Sequence, residues 1–175
     1  MKHARLSDLK EIYQHFQKRQ DVFPHVRQDK LRRMIEAGQL VWQDGIVITY
    51  QRYRRAGRVA ATCPVKAKAG DVILHQILNT QQFSGAGGRV FERFVEEIVK
   101  PSGGDLYLSV RKENAVACSF YERHGMSVVG NVSWSGGTLP GLVYRMVLSH
   151  IVLTSKPNSE REGEAERVGT RRSQE

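Results

Sequence analysis

The chain has only two cysteines in 175 residues, Cys63 and Cys118. Two cysteines make neither a disulfide framework nor a zinc site of the C-x-x-C kind, so we expect two free thiols in a reducing compartment. The longest apolar runs are a few residues, far below the roughly 20 that a membrane span needs. The polar opening MKHARLSDLK lacks the apolar stretch of a signal peptide. These absences predict a soluble cytoplasmic protein without a membrane partner.

Acidic residues are scarce in only one part of the chain. The whole sequence has 27 Lys and Arg against 18 Asp and Glu, a net charge of +9. Residues 1–68 hold 15 basic and 6 acidic residues, which already gives +9, and the rest is neutral overall. A localised excess of this kind predicts an acidic partner for the first part of the chain.

Apolar residues are almost missing from residues 154–175, where one valine and one alanine are the only ones. Such a segment cannot bury enough apolar surface to offset the entropy of ordering it. The length of the chain suits one domain with a real core. We therefore predict one domain at 1–153 and a disordered polar tail at 154–175.

Hydrophobic spacing predicts a mixed order of helices and strands. A helix is expected at about 7–19 with Ser7 as its N-cap, followed by a second helix that Asp29 caps and Gly38 ends. Asp44 and Gly45 predict a hairpin turn. Strands are predicted at 2–6, 40–42, 46–50, 59–65, 71–79, 106–110, 126–133 and 142–148, and later helices at 89–100 and 114–124. This order indicates an α+β fold, or mixed α/β layers.

A glycine-rich loop separates the strand at 71–79 from the next helix. It ends in Gly85, Ala86, Gly87 and Gly88. Backbone N–H groups without side chains around them can approach a phosphate closely, and a helix N-terminus adds positive potential. The loop lacks the Gly-Lys-Ser/Thr of a P-loop, and the chain lacks a Rossmann fingerprint. A phosphate site and a plain flexible turn both remain open on this feature alone.

Two motifs together resemble the GNAT acyltransferases. The QFSGAG of residues 82–87 is similar to the Q/R-x-x-G-x-G/A loop of that family. Asn114, Ala117, Tyr121 and Gly125 are similar to its Asn-x-x-Ala-x-x-x-Tyr pattern and following glycine, with Met126 in place of the usual Phe. The motifs stand about 30 residues apart with a helix and a strand between them, as in the family. The resemblance covers roughly residues 2–150.

The chain departs from the family at two places on the substrate side. The glycine that members often carry in the strand after the first hairpin is missing at 47–49. The stretch 59–65 looks like an additional strand or a long loop where many members have a shorter link. The acceptor therefore cannot be carried over from the family.

The resemblance implies an acyl-CoA-dependent N-acyltransferase that moves an acetyl group from acetyl-CoA to an amine by direct attack. It implies a central mixed sheet, flanked by helices, that splays at the cofactor site beside Ile77 and Leu78, whose backbone groups pair with the pantetheine arm. Asn114 is expected to cap its helix and to touch the same arm. The pyrophosphate is expected at Gln82, Phe83, Ser84, Gly85, Ala86, Gly87 and Gly88.

Two side chains are candidates for the proton transfers. Tyr121 is the candidate acid for the leaving thiolate because of its place in the family pattern, and a structural aromatic is the alternative. His75 is the candidate base, since it is the only titratable side chain between Val72 and Thr80, where many members place a carboxylate. A packed structural histidine is the alternative there. No histidine has metal spacing, so no metal is expected.

A run of arginines among tyrosines predicts a binding surface. Arg52, Arg54, Arg55 and Arg58 follow Tyr50 and surround Tyr53. Arginines with aromatics can hold nucleic acid through phosphate contacts and stacking, or they can hold an acidic acceptor. Alternatively, they only keep a sheet edge solvated. A basic nucleic-acid-binding protein and a nucleobase-modifying enzyme on the same fold are the competing functions.

Overall fold

Two short amphipathic helices begin the described chain. The computed structural model describes residues 1–81 and 85–148. Helix α1 spans Leu9–Gln17 and α2 spans Gln28–Glu36, and the predicted stripe of Leu31, Met34 and Ile35 is buried. Both apolar stripes pack on the sheet together with Leu40, Val47 and Leu78.

The predicted N-caps of α1 and α2, Ser7 and Asp29, are both wrong. Ser7 lies inside a 3-10 turn, Leu6–Asp8, and the side chain that accepts the free amide of Arg5 is Asp8, at 2.8 Å. Helix α2 begins before Asp29, so this residue lies inside the helix and does not cap it. The Asp29 carboxylate pairs instead with Arg27 and Arg33. Gly38 follows α2 with φ +64°, the left-handed conformation predicted for it.

A six-stranded mixed sheet forms the centre, which confirms the predicted fold class. The strands in chain order are β1 Leu40–Gln43, β2 Ile46–Arg52, β3 Gly57–Arg58, β4 Lys66–Ala67, β5 Val72–Asn79, β6 Leu106–Arg111, β7 Ser127–Trp134 and β8 Leu139–Met146. The large sheet has the order β1-β2-β5-β6-β8-β7, and β3 and β4 form a separate pair. The β5–β6 pair is parallel, whereas the other neighbours in the large sheet are antiparallel.

Two predicted strands are not formed as such. Residues 2–6 contribute one isolated bridge, between His3 and Val41, flanked by backbone hydrogen bonds. The stretch 59–65 is a loop between β3 and β4, closed by the amide of Val59, which donates to the carbonyl of Val65 at 3.1 Å. Of the two alternatives for this stretch, an additional strand or a long loop, the loop is confirmed. Pro64 has no amide hydrogen for a ladder, which fits this outcome.

Two helices cover one face of the sheet. Helix α3 spans Ala86–Phe94 and runs on through a π-helical turn, Val95–Val99; α4 spans Ala115–Arg123. The carboxamide oxygen of Asn114 accepts the amide of Ala117 at 3.1 Å, so the predicted N-cap is confirmed. The main core lies between these helices and the sheet.

Alternation along β5 defines the second face. Val72 and Leu74 pack towards α3, whereas Ile73 packs with Val59, Cys63 and other residues of the loop after β2. Neighbouring strand residues point to opposite faces. Helices α1 and α2 therefore cover one part of the second face, and the segment 53–70 covers another.

No helix among residues 1–81 and 85–148 is long and apolar enough to cross a membrane. Within the same ranges no cluster of three or more metal-binding side chains occurs. The predicted tail at 154–175 lies outside the described residues.

Candidate active site

Strands β5 and β6 pair at one end and separate at the other. Val72–Leu74 pair in parallel with 106–108, and the pairing stops there. Beyond that point β5 stays with β2, and β6 stays with β8. The predicted splay of the sheet beside Ile77 and Leu78 is thereby confirmed. Along this part of β5, the backbone edge that faces β6 has no partner strand in the described chain.

A β-bulge accompanies the separation. Thr49 of β2 pairs with Gln76 while the next residue, Tyr50, pairs with Leu74, so His75 is the extra residue on β5. Bulges bend the strand that carries them and change which face its side chains take. After the bulge, Ile77 packs towards the α3 side and Leu78, 2% exposed, packs under α1 and α2. Only the backbone of Leu78 is therefore available to a ligand.

The bulge residue His75 is mostly buried, and its ring is neutral at pH 7. Burial and, as the smaller cause, the positive charge of Lys30 together lower its pKa to about 4. The neighbouring Gln76 is held by a hydrogen bond with the Thr49 hydroxyl. His75 is thus available as a hydrogen-bond acceptor at neutral pH, but it is a weak base.

Three glycines at the start of α3 have three different structural roles. Gly85 takes φ +62° as the residue before the helix. A Cβ on Gly88 would lie 3.1 Å from Nε2 of His124, so this glycine lets α4 approach α3. A Cβ on Gly87 would meet nothing within 4 Å. The first turn is therefore open at Gly87, with backbone donors that have no partner inside the helix. Gln82, Phe83 and Ser84 lie outside the described residues.

His124 is a contact of this turn that spacing alone did not reveal. Its ring lies beside Phe91 and Phe120, with centroid distances of 5.2 and 4.3 Å. Its Nδ1 is 2.7 Å from the carbonyl oxygen of Phe120, so Nδ1 carries the proton and Nε2 faces Gly88. His124 lies between Tyr121 and Gly125 of the second motif, at a position that the family pattern leaves free, so the sequence gives no signal for such a contact.

Tyr121 packs between the two helices and the sheet. It is 5% exposed, and its ring lies 6.0 Å from Phe91 and 6.1 Å from Tyr144. Burial, aided by the nearby Cys118, raises its pKa. The Tyr144 hydroxyl donates to Glu122 at 2.9 Å, whereas nothing within 1–81 and 85–148 hydrogen-bonds the Tyr121 hydroxyl. Tyr121 is therefore a protonated phenol at pH 7 with its donor available.

Solved structures of similar shape agree with this arrangement. The ribosomal-protein-S18-alanine N-acetyltransferase of Escherichia coli has 16% identity and a TM-score of 0.61, over 91% of this chain and 97% of that one. The ribosomal-protein-alanine N-acetyltransferase of Brucella melitensis has 15% identity and a TM-score of 0.61, over 84% and 98%. The chain has the GNAT acetyltransferase fold. The YncA protein of Salmonella typhimurium, solved with its cofactor acetyl-CoA, has 15% identity and a TM-score of 0.61, over 86% and 94%. No family model and no curated protein matches the sequence.

A cleft beside the described residues lies at the end of β5 on its β2 side, opposite the side that faces β6 in the GNAT fold. It has a volume of about 810 Å³ and opens at the β1–β2 turn, between α1 and α3. Trp42, His15 and Arg93 are among its lining residues, and Gln81 connects it to the start of the glycine loop. Neither His75 nor Tyr121 lines this cleft.

The predicted basic run lies after β2, at the paired end of β5 in the GNAT fold. Its four arginines are all exposed. Both tyrosines of the run are engaged: the Tyr50 hydroxyl donates to the carbonyl of Gly38 at 2.8 Å, and the Tyr53 hydroxyl to that of Arg58 at 2.9 Å. Tyr50 is only 5% exposed. The predicted role of these rings in stacking on bases is therefore not favoured.

Proposed function

We propose that the protein is an acetyl-CoA-dependent N-acetyltransferase that moves the acetyl group to an amine by direct attack. The observation that carries this proposal is the separation of β5 from β6 beside a helix that opens with glycines. The GNAT fold supports it, as does the acetyl-CoA found in the Salmonella typhimurium neighbour. Cys63 and Cys118 are both free thiols, which suits a reducing cytoplasmic location.

Two backbone surfaces account for cofactor binding. The pantetheine arm of acetyl-CoA pairs with the open edge of β5 at Ile77 and Leu78, in the manner of an added strand. The pyrophosphate receives N–H groups from the loop, Gln82, Phe83 and Ser84, and from Gly85, Ala86, Gly87 and Gly88. Residues 85–88 lie at the positive end of α3. Asn114, at the start of α4, lies near the same arm.

The attacking amine must first lose its proton. An amine of pKa about 10.4 is neutral in only about one molecule in 2,500 at pH 7, a penalty of roughly 4.6 kcal/mol. His75 lies at the bulge where the strands separate and is neutral. Because its pKa is about 4, it serves as an acceptor that orients the amine or a water, and the proton leaves to solvent.

The leaving thiolate must be stabilised as the thioester breaks. Tyr121 supplies a hydroxyl for this step. An alkyl thiol has a pKa of about 8.5, below that of tyrosine, and burial raises the tyrosine pKa further. Complete transfer of the phenol proton is therefore uphill, and the main contribution of Tyr121 is a hydrogen bond to the sulfur.

A calorimetric titration with acetyl-CoA, combined with an assay of free CoA released in the presence of neutral amine-bearing peptides, tests the proposal. We expect one site per chain and acceptor-dependent release of CoA. A folded protein that binds no acetyl-CoA would overturn the proposed function.

A further inference from the structure

The face of the sheet opposite α3 and α4 is covered by two separate units. Helices α1 and α2 pack over Val47 and Leu78. The segment 53–70 packs over Ile73, Tyr107 and Val143. Neither apolar cluster includes the place where β5 leaves β6, at His75 and Gln76 on one strand and at 109–111 on the other. We call this place the mouth. An acceptor that reaches the thioester from this face must pass through it.

The first wall of the mouth is basic. Residues 18–33 carry six basic and two acidic side chains, a net charge of +4. The two acids already pair with arginines of the same segment, at 3.0 to 3.5 Å. Lys18, Lys30 and Arg32 are exposed and have no ion pair within the described residues. Lys30 belongs to α2, whose apolar face packs in the same cluster as Leu78 of β5, and its positive charge helps to lower the pKa of His75.

The second wall is more basic still. Residues 52–70 carry four arginines and two lysines, with no acidic side chain. All six are exposed, and none has an ion pair to a residue of 1–81 or 85–148. Arg52 and Arg58 donate only to backbone carbonyls, those of Ile98 and Ala61. These six charges face solvent rather than counter-ions.

The second wall is also held firmly against the sheet. The hydroxyl of Thr62 accepts the amide of Ser133 in β7 at 2.9 Å, and Cys63 is 1% exposed. A Cβ on Gly130 of β7 would lie 2.9 Å from the sulfur of Cys63, so the segment packs closely on that strand. The backbone that carries its cations is therefore held in place. Charges on a fixed backbone attract a partner without a large cost of ordering that backbone.

Acetyl-CoA does not account for this charge. The glycines that open α3 lie on the helix-covered side, whereas the units that carry residues 18–33 and 53–70 cover the other face, and only Arg52 reaches the helix side, at the carbonyl of Ile98. Residues 69–148 hold equal numbers of basic and acidic side chains. Positive charge that served only the phosphates would be concentrated around α3.

We infer that the acceptor is an acidic polypeptide segment, held between residues 18–33 and 52–70 while its amine enters the mouth. This inference rests on the proposed function. A polypeptide supplies an alkyl amine, and arginine forks match carboxylates in pairs. Proteins that hold single-stranded nucleic acid use aromatic rings for stacking, but the Tyr50 ring is buried and the Tyr53 ring packs, partly buried, against the cluster under segment 53–70.

The test compares two peptides of equal length with the same single amine, one flanked by Asp and Glu and the other by Arg. At low salt, kcat/KM for acetyl transfer should favour the acidic peptide by about tenfold or more, since a basic surface concentrates anions. Arg54→Glu with Arg55→Glu should remove most of this preference. Lys10→Glu with Lys100→Glu changes the net charge equally outside both walls and should leave the preference intact.

Four outcomes separate this inference from the proposed function. Loss of the preference only in the arginine variant, with unchanged acetyl-CoA affinity and transfer to a neutral peptide, supports it. Equal rates with both peptides in a protein that binds acetyl-CoA overturn the acidic acceptor and leave the proposed function intact. Binding of a single-stranded oligonucleotide that depends on Arg54 and Arg55, without a preference for the acidic peptide, overturns it in favour of nucleic acid. Failure to bind acetyl-CoA instead overturns the proposed function.

Discussion

The buried carboxylate of Asp105 ties together the closed end of the splayed strands. The side chain is 0% exposed and accepts two N–H groups from Arg145, with its Nε at 2.9 Å, and the amide of Leu148 at 2.8 Å. Its backbone carbonyl accepts the amide of Val72, and its own amide donates to Asp71 at 2.8 Å. These bonds join the starts of β5 and β6 to the end of β8.

Asp105→Asn should therefore destabilise the protein strongly. One carboxylate oxygen of Asp105 accepts from Arg145 and the other accepts from Leu148. Asparagine has only one acceptor oxygen, so its NH₂ group would face one of these two donors. Breaking a buried, hydrogen-bonded charge pair on one side costs about 3–5 kcal/mol. For a domain of this size, that loss lowers the melting temperature by about 10 °C.

The matched control is Asp29→Asn. Asp29 also pairs with two arginines, but its side chain is 51% exposed, and exposed pairs contribute about 0–1 kcal/mol. Urea denaturation of both variants gives the two free energies of unfolding. Similar losses in the two variants would refute the claim that burial of Asp105 decides the effect.

Three further predictions concern the candidate site and the tail. Tyr121→Phe should lower kcat by about 10²-fold or more while acetyl-CoA affinity stays nearly unchanged, as stopped assays and calorimetry will measure; an equal kcat would make Tyr121 structural. His75 has a folded pKa of about 4 against 6.5 in the unfolded chain, so the unfolded state binds the extra proton. Acidification from pH 7 to 5 should thus cost wild type about 2 kcal/mol more stability than His75→Gln, and parallel denaturation curves would contradict this assignment. Truncation after Leu153 should leave melting temperature and acetyl-CoA affinity nearly unchanged, because the removed residues lack an apolar face; a drop of several degrees would show that they dock.

Local patterns in the sequence predicted most of the fold. Helical spacing identified the buried stripe of α2, and the turn at Asp44 and Gly45, with φ of 50° and 75°, was evident from residue type. The N-caps were harder to predict because several polar side chains near a helix start can accept a free backbone amide. At the start of α1, Asp8 rather than Ser7 accepts the amide of Arg5. At 59–65 the sequence left an additional strand and a long loop open, and the loop forms because its apolar residues pack on the sheet rather than pair in a ladder.

The candidate site was partly accessible from sequence. The two motifs predicted the splay, which the pairing of β5 confirms. The bulge at His75 depends on the register between distant strands, and the closeness of Gly88 to His124 depends on how α3 and α4 pack. Neither relation leaves a local pattern. The roles of His75, Tyr121 and the cofactor-contacting residues stay predictions.

Binding of acetyl-CoA to a pair of Gly87 variants tests the central claim most directly. A Cβ at this position meets nothing within 4 Å, so both Gly87→Ala and Gly87→Asp should fold. We expect calorimetry to give Gly87→Ala nearly the wild-type affinity. Gly87→Asp should lose about tenfold or more, because its carboxylate faces the pyrophosphate at short range. Equal affinity of the alanine and aspartate variants would contradict a phosphate site at the start of α3.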